Sequence, residues 1–395
     1  MFSRIKANPS FLNNFFVSLP TYLKNEFQIC FSMKVLLFIP QRYGFYHSFQ
    51  DTFTHLGAEV YSIDYYDVVK KWEQKVNTQI FRLPKKYHLK WESYYLQKIN
   101  QYYIETYDRL RPDIVFIYNN ELLLPDTLKY FKKKGTRIGF FLGDSPFYTP
   151  TNRYYLQLLE EADAIFAPDS FWIAQLQNIG LQNIYLFYPT IPSHQYFKHK
   201  LANNDYQAMK TDVLYIGMSY ADSWGYKKAK FLSHFTDFDL QIFGNRDWKR
   251  WFNAFPALAD CYTEQTNRLS TEKVNDMYNA TKIIPIDGNP GILHGVHWRM
   301  IEALCAGALP LMEWQNGLYE IFPLGSELPA VHSYDKIKDM ASFYLNHESE
   351  RTEIITWMRA IVFEKYSIEN NADRLSNALE LNSLVYGRKI NGQRM

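Results

Sequence analysis

The stretch that decides the fold is residues 294–311, which read HGVHWRMIEALCAGALPL. A short loop leads into a segment with helical spacing of apolar residues, Gly307 ends that segment, and an apolar run follows. A continuous apolar run after a helix is typical of a strand in a parallel sheet that helices cover on both faces. The stretch therefore predicts one helix–strand unit of an α/β domain.

The predicted helix has two chemically different faces. Three residues at helical spacing are expected in the core, namely Trp298, Ile301 and Cys305. On the other face, the guanidinium of Arg299 could bind a diphosphate, and the carboxylate of Glu302 could accept two hydrogen bonds from a ribose diol. The loop amides around Gly295 could receive an anion at the positive end of the helix. From spacing alone, the simpler interpretation is a surface pair between Arg299 and Glu302.

The sequence on either side repeats this alternation of helices and apolar runs. In a first block, strands are predicted at 35–40, 59–64, 113–118, 137–144, 164–167 and 184–187. In a second block they are predicted at 212–217, 240–244, 282–286 and 309–312. The predicted fold class is therefore α/β, with two Rossmann-like doubly wound parallel-sheet domains that face a cleft.

The blocks and the segments around them predict five parts of the chain. The first is an appendage at 1–32, because a strong strand begins only at Met33. Two domains at 33–190 and 213–366 follow, joined by a polar, irregular link at 191–212, and a last helix with a tail occupies 367–395. The appendage has a short apolar patch that is too polar for a membrane span.

Composition excludes several classes of protein. The 395 residues carry 43 Lys and Arg against 41 Asp and Glu, a net charge of +2, which argues against a nucleic-acid binder. Three isolated cysteines, Cys30, Cys261 and Cys305, form neither a disulfide framework nor a zinc motif, so a reducing, cytoplasmic compartment is expected. The glycine motifs of dinucleotide and P-loop sites are missing.

No metal site is predicted either. Asp237 and Asp239 have the Asp-x-Asp spacing of metal-dependent transferases, but one of the two carboxylates would face solvent before a strand. His294 and His297 have no third ligand nearby in the sequence.

The segment 299–308 resembles the C-terminal signature of GT-B glycosyltransferases, and most of all the CgeB-type, spore-maturation glycosyltransferase-like family. In that signature an Arg precedes Phe/Ile-Glu-Ala-Leu-Ala-Cys-Gly-Ala and an apolar strand; here it is RMIEALCAGA. Supporting similarities are the strands that end in Ile216-Gly217 and Phe243-Gly244, and the segment from Gly143 to Pro146. The resemblance covers about residues 33–380.

The resemblance implies that the domain at 213–366 binds a nucleotide-sugar donor and that the domain at 33–190 binds the acceptor. It also implies that the helix of 367–395 crosses back to the first domain. The implied donor-binding residues are Gly217, Ser219, Gly244, Asn245, Gly291, Gly295, Arg299 and Glu302. Many retaining relatives carry a glutamate seven residues before the one at Glu302, where this chain has His294, which could instead donate to a phosphate or sugar oxygen.

The acceptor side is less clear from the sequence. Tyr43 and Gly44 belong to the loop after the first strand, which resembles the loop where such enzymes let an acceptor approach. His47 and Asp144 are candidate general bases, and with His294 they make up the predicted catalytic residues. An ordinary histidine near a helix start and a cap before Pro146 are the alternatives for His47 and Asp144.

The predicted function is metal-independent transfer of a sugar from a nucleotide-sugar donor to a sugar, lipid or protein acceptor. No cofactor is expected, because the nucleotide-sugar is a substrate. A nucleotide-sugar epimerase of the same fold and a non-catalytic nucleotide- or sugar-binding protein are the alternatives. Lys70, Lys71 and Lys75 near Trp72 could contact an anionic membrane, and no nucleic-acid partner is expected.

Overall fold

The computed structural model describes residues 33–41, 44–119, 122–147, 154–191 and 194–381. The predicted appendage at 1–32, Tyr43 and the end of the tail lie outside the described residues.

The first sheet has six parallel strands in the order β2-β1-β3-β4-β5-β6. They are β1 Met33–Phe38, β2 Ala58–Ser62, β3 Ile114–Tyr118, β4 Arg137–Phe141, β5 Ala164–Ala167 and β6 Ile184–Leu186. The helices around it are α1 Gly44–His55, α2 Lys71–Gln79, α3 Lys85–Leu110, α4 Pro125–Lys133, α5 Tyr155–Glu160 and α6 Ser170–Asn178. The central strands β3 and β4 are apolar and buried over most of their length, as expected for strands covered on both faces; Arg137 at the start of β4 and Tyr118 at the end of β3 are partly exposed.

The second sheet also has six parallel strands, in the order β12-β11-β10-β7-β8-β9. They are β7 Thr211–Ile216, β8 Leu240–Gly244, β9 Tyr262–Glu264, β10 Thr281–Ile286, β11 Leu309–Glu313 and β12 Ala330–Val331. The helices from the link onward are α7 Asn203–Met209, α8 Ser223–Ser233, α9 Thr271–Asn279, α10 Arg299–Ala306, α11 Leu318–Ile321, α12 Ile337–Asn346, α13 Glu348–Lys365 and α14 Ile368–Ala378. Two Rossmann-like domains are present, and the predicted fold class is confirmed.

The decisive stretch forms the predicted unit. Helix α10 ends at Gly307, whose φ of 85° is the left-handed conformation that glycine adopts without strain. Ile301 and Cys305 lie on the buried face of α10. Trp298, just before the helix, is half-buried, and its ring centroid lies 5.7 Å from that of Phe45 in the first domain. The unit therefore packs on its own sheet and also touches the other domain.

The link differs from the prediction. The polar residues of 203–209 suggested an irregular segment, but they form the exposed helix α7, and β7 already begins at Thr211. Asp205 in the first turn of α7 suits the positive end of a helix, which a pattern based only on polarity overlooks.

The last helix, α14, packs against α1 of the first domain. Leu375 and Leu379 are buried in the same core as Phe53 of α1. The amide of the buried Asn371 donates to the carbonyl oxygen of Tyr188 at 3.0 Å. The described part of the C-terminal segment thus returns to the first domain. Among the described helices, none is both long and apolar enough to cross a bilayer.

Candidate functional site

A buried network of charges lies where the central strands of the second sheet end. Asp287 follows β10, and its two carboxylate oxygens have different partners. One oxygen accepts a hydrogen bond from the hydroxyl of Tyr215 at 2.7 Å and lies 3.5 Å from a guanidinium nitrogen of Arg299. The other lies 3.0 Å from the ammonium of Lys228, which also donates to the Tyr215 hydroxyl at 2.8 Å. Residues from β7, α8, α10 and the end of β10 thus form one cluster.

The network has more positive than negative charge. Burial alone would raise the pKa of Asp287, but Lys228 and Arg299 hold that pKa well below its usual range, so the carboxylate is ionised. Burial, reinforced by Arg299, lowers the pKa of His297 to about 3, so that imidazole is neutral at pH 7. Two cations against one carboxylate leave a buried positive charge, which favours an anionic ligand.

Glu302 lies one turn along α10 from Arg299. Burial raises the pKa of its carboxyl group to about 7, although Arg299 and Arg268 act in the opposite direction. Near neutral pH this carboxyl group therefore exists in both protonation states. It can donate one hydrogen bond when protonated and accept two when ionised, which suits a pair of neighbouring hydroxyls.

Four predicted donor-binding residues meet at the corner formed by the ends of β7 and β8. The side-chain amide of Asn245 bonds both backbone groups of Ser219, at 2.8 and 3.1 Å. A Cβ atom on Gly244 would lie 2.3 Å from the indole nitrogen of Trp248, and one on Gly217 would lie 2.8 Å from the Tyr215 ring. Packing at this corner therefore already requires both glycines, whether or not a ligand approaches them.

The loop that leads into α10 is held by the first domain through one carboxylate. Asp169 caps the start of α6 with one oxygen, which accepts from the amides of Phe171 and Trp172. Its other oxygen accepts from the amides of Leu293, His294 and Gly295, at 2.6 to 3.1 Å. The carboxylate is fully buried, and its hydrogen bonds come from five backbone amides of the two domains.

Other contacts press this loop against the first domain. The indole of Trp172 donates to the carbonyl oxygen of Gly291 at 3.0 Å, and a Cβ atom on Gly295 would lie 2.3 Å from the carbonyl oxygen of Pro168. The predicted phosphate-binding role of Gly291 and Gly295 stays a prediction. In the structure, however, the amides of 293–295 already donate to the carboxylate of Asp169.

Comparisons with known proteins relate this chain to glycosyltransferases. Residues 227–377 match the family model described as "Glycosyl transferase-like", a range that runs from α8 into α14. The spore protein CgeB of Bacillus subtilis is 22% identical over 253 residues, which is 62% of this chain and 75% of CgeB. The chain is a glycosyltransferase that is similar to CgeB and has the GT-B fold.

Solved structures show the same fold at low identity. HepE of Anabaena, crystallised with UDP and glucose, is 10% identical and has a TM-score of 0.60, with 88% of this chain and 99% of HepE covered. The N-terminal domain of trehalose-6-phosphate phosphatase from Candida albicans is 13% identical and has a TM-score of 0.62, and the match covers 88% of this chain and 98% of that domain.

Two of the three predicted catalytic residues, Asp144 and His294, lie beside the loop that leads into α10. Asp144, after β4, accepts from the side-chain amide of Asn119 at 2.7 Å, and the neighbouring Ser145 faces Gly291 of the other domain. His294 points toward the start of α6, with its Nδ1 3.2 Å from the hydroxyl of Ser170. These two positions border the loop that leads into α10, called the interdomain loop (residues 291–295).

His47 lies elsewhere. Its ring is 5.8 Å from that of His194, near the domain link, whereas Phe45 on the same helix reaches Trp298. Gly44 is the exposed first residue of α1. The structure thus brings Asp144 and His294 to the interdomain loop, and it does not place His47 with them.

Sequence reasoning missed three residues of this site. Tyr215 lies in the predicted strand 212–217 and Lys228 in no predicted motif, and neither residue gives a local signal of its role. Asp169 could have been found, because Asp-Ser shortly after a buried strand, here separated from it only by Pro168, is a helix-capping signature.

In the described part of the chain, no group of three potential metal ligands lies together. The Asp-x-Asp segment has other contacts there, because Asp237 pairs with Lys338 on α12.

Proposed function

We propose that this glycosyltransferase uses a uridine-diphosphate sugar as its donor and holds the diphosphate with Arg299 and Lys228, without a metal ion. The observation that carries this proposal is the excess positive charge of the network at the strand ends of the second domain. Diphosphate would supply the charge that Asp287 leaves unbalanced. The HepE structures with UDP and with UDP-glucose support uridine as the base.

The remaining donor contacts follow from the position of α10. Glu302 would bind the ribose hydroxyls, since it lies beside Arg299 and its carboxyl group changes protonation near pH 7. The corner of Gly217, Ser219, Gly244 and Asn245 would lie along the diphosphate and the base. A positive cluster that needs no reorganisation stabilises the leaving diphosphate in the transition state, and this is the role a metal ion has in other transferases.

On the acceptor side, Asp144 is the strongest candidate for the general base. Its loop faces the donor loop at Gly291, and Asn119 fixes its carboxylate. An Asp144→Asn variant should lose turnover while it keeps its affinity for UDP, because only proton removal from the acceptor is affected.

The test of the donor site is calorimetric titration with UDP. Arg299→Gln should weaken UDP binding about tenfold or more, since it removes a charge-assisted contact. Glu302→Gln should weaken it less, because an amide still binds one hydroxyl. The matched control is Arg250→Gln, which removes an exposed guanidinium of the same domain that pairs with Asp247.

Unchanged UDP affinity in both site variants would show that the assignment is wrong. Turnover that survives EDTA would support metal independence, and turnover abolished by EDTA would contradict it. Incubation with donor alone distinguishes an epimerase, which would produce an isomer without any acceptor.

A further inference from the structure

One segment of the first domain has a strong charge bias that the donor site does not use. We define the basic hairpin as residues 70–90, which comprise α2, the turn after it and the start of α3. Its positive residues are Lys70, Lys71, Lys75, Arg82, Lys85, Lys86 and Lys90, and its single acidic residue is Glu73. The whole chain has a net charge of only +2, so the rest of the molecule is net negative.

The one acidic side chain of the hairpin is used internally. Glu73 is buried, forms an ion pair with Lys98 at 2.7 Å and accepts from the hydroxyl of Tyr94 at 2.8 Å. Burial would raise its pKa, but the hydrogen bonds of Lys98 and of the Lys70 amide lower that pKa to about 2. The carboxylate therefore balances Lys98 on α3, and segment 70–90 contains no second acidic residue to balance its surface lysines.

Large apolar side chains stand among these lysines. The exposed fractions are 53% for Trp72, 64% for Phe81, 52% for Leu83 and 50% for Tyr87. All residues from 81 to 87 are exposed, so they form a protruding tip and not a groove. A tip that mixes exposed aromatic and basic side chains fits the interface of a bilayer, where apolar side chains enter between headgroups and cations stay at the phosphates.

The order of α3 and β3 places this tip beyond the carboxyl ends of the strands of the first sheet. Helix α3 has 26 residues and is about 39 Å long, whereas the five residues of β3 span about 17 Å. Because α3 ends at Leu110, just before β3 begins, its start projects about 20 Å beyond the carboxyl ends of the strands. Asp144 and Asp169 follow strands at that same edge.

We propose that the basic hairpin docks this protein on the surface of an anionic lipid bilayer. Seven cations concentrate within 21 residues, and their attraction to anionic headgroups combines with insertion of Phe81 and Leu83. An acidic protein partner would need a surface shaped around a protruding tip, whereas a bilayer adapts to it. The proposal does not depend on the donor assignment, because the two sites share no residue.

The test is sedimentation of the full chain with vesicles. We expect binding to phosphatidylcholine vesicles that contain about 30% phosphatidylglycerol, and binding at least about tenfold weaker to pure phosphatidylcholine. Raising NaCl from about 0.1 M to about 0.5 M should weaken the binding, since the charges become screened. The triple variant K85Q/K86Q/K90Q should bind at least about tenfold more weakly, and F81S/L83S severalfold more weakly.

Two control variants match these changes elsewhere on the surface. K132Q/K133Q/K134Q removes the same charge at the end of α4, and Leu324→Ser removes a side chain that is 85% exposed in the second domain. Both should bind like the unaltered protein. Melting temperatures and UDP affinity should be unchanged in all variants, so a failure here is distinguishable from a failure of the donor site.

Three results would overturn the proposal. They are equal binding to both kinds of vesicle, an equal loss in the α4 control, and full binding by both hairpin variants. Absence of vesicle binding together with capture of an acidic protein would assign the hairpin to a protein partner instead.

Discussion

Asp169 and Asp287 are both fully buried at the strand ends, one in each domain, and the protein neutralises them by different chemistry. Asp169 accepts hydrogen bonds from five backbone amides and pairs with no cation in those contacts. Asp287 is surrounded by the side chains of Lys228, Arg299 and Tyr215. The first carboxylate joins backbone segments, and the second is paired with buried charged side chains.

This difference indicates two separate functions within one site. Amides of 293–295 can all reach one oxygen of Asp169 only when the loop is folded tightly, so that carboxylate fixes the shape of the loop. The charges of Lys228, Arg299 and Asp287 act beyond their direct contacts, so this network sets the electric field at the strand ends of the second sheet. The comparison can be tested by removing each carboxylate in turn.

The largest effect is expected for Asp287→Asn. It leaves Lys228 and Arg299 buried without an anion, which should lower the free energy of unfolding by about 3–5 kcal/mol. Urea denaturation measures this loss. Asp335→Asn is the control, because Asp335 forms an exposed pair with Lys336 and its removal should change stability far less. A loss no greater than that of the control would mean that the network is open to water.

The next effect is expected for Asp169→Ala, at about 2–4 kcal/mol. It removes a helix cap and also leaves three loop amides without their acceptor. Asp222→Ala is the matched control, since Asp222 caps α8 through the amide of Trp224 alone and should cost about 1 kcal/mol. Equal losses in the two variants would contradict an interdomain role for Asp169.

A third carboxyl group sharpens the comparison through its pH dependence. Because the pKa of Glu302 is raised from 4.5 to about 7 in the folded state, the folded protein holds a proton that the unfolded chain releases between these values. Stability should therefore fall as the pH rises from about 4.5 to 7. Urea denaturation measures the free energy of unfolding at each pH. Its decrease between pH 4.5 and 7 should be about 2 kcal/mol smaller in Glu302→Gln than in the unaltered protein. Identical pH profiles would show that Glu302 is solvated.

The smallest effect is expected where a carboxylate is exposed. Glu380 pairs with Arg137 at 2.7 Å and links the end of the last helix to the first sheet, but its side chain is 67% exposed. Glu380→Gln should lower the unfolding free energy by less than about 1 kcal/mol, and added salt should reduce even that difference. Thermal unfolding in low and in high salt measures this difference. A larger loss that does not depend on salt would contradict this ranking.

Much of the fold and part of the site could be predicted from local patterns. Apolar runs separated by helices predicted the parallel sheets, and Gly307 predicted the end of α10. For Arg299 and Glu302, spacing alone favoured a surface pair, and the resemblance to the GT-B signature led to the prediction of a nucleotide-binding role. Helix α7 was missed, because polar residues predict a loop whenever polarity alone is considered.

The sequence by itself determined the elements, because strand and helix preferences depend on neighbours within a few residues. It also determined that α10 carries an acid and a guanidinium. Only the tertiary structure decided that Arg299 meets Lys228 and Asp287, and that Asp169 holds a loop more than 120 residues away. Such contacts depend on how separate strands and helices pack, and burial then gives each charge its strength by excluding water.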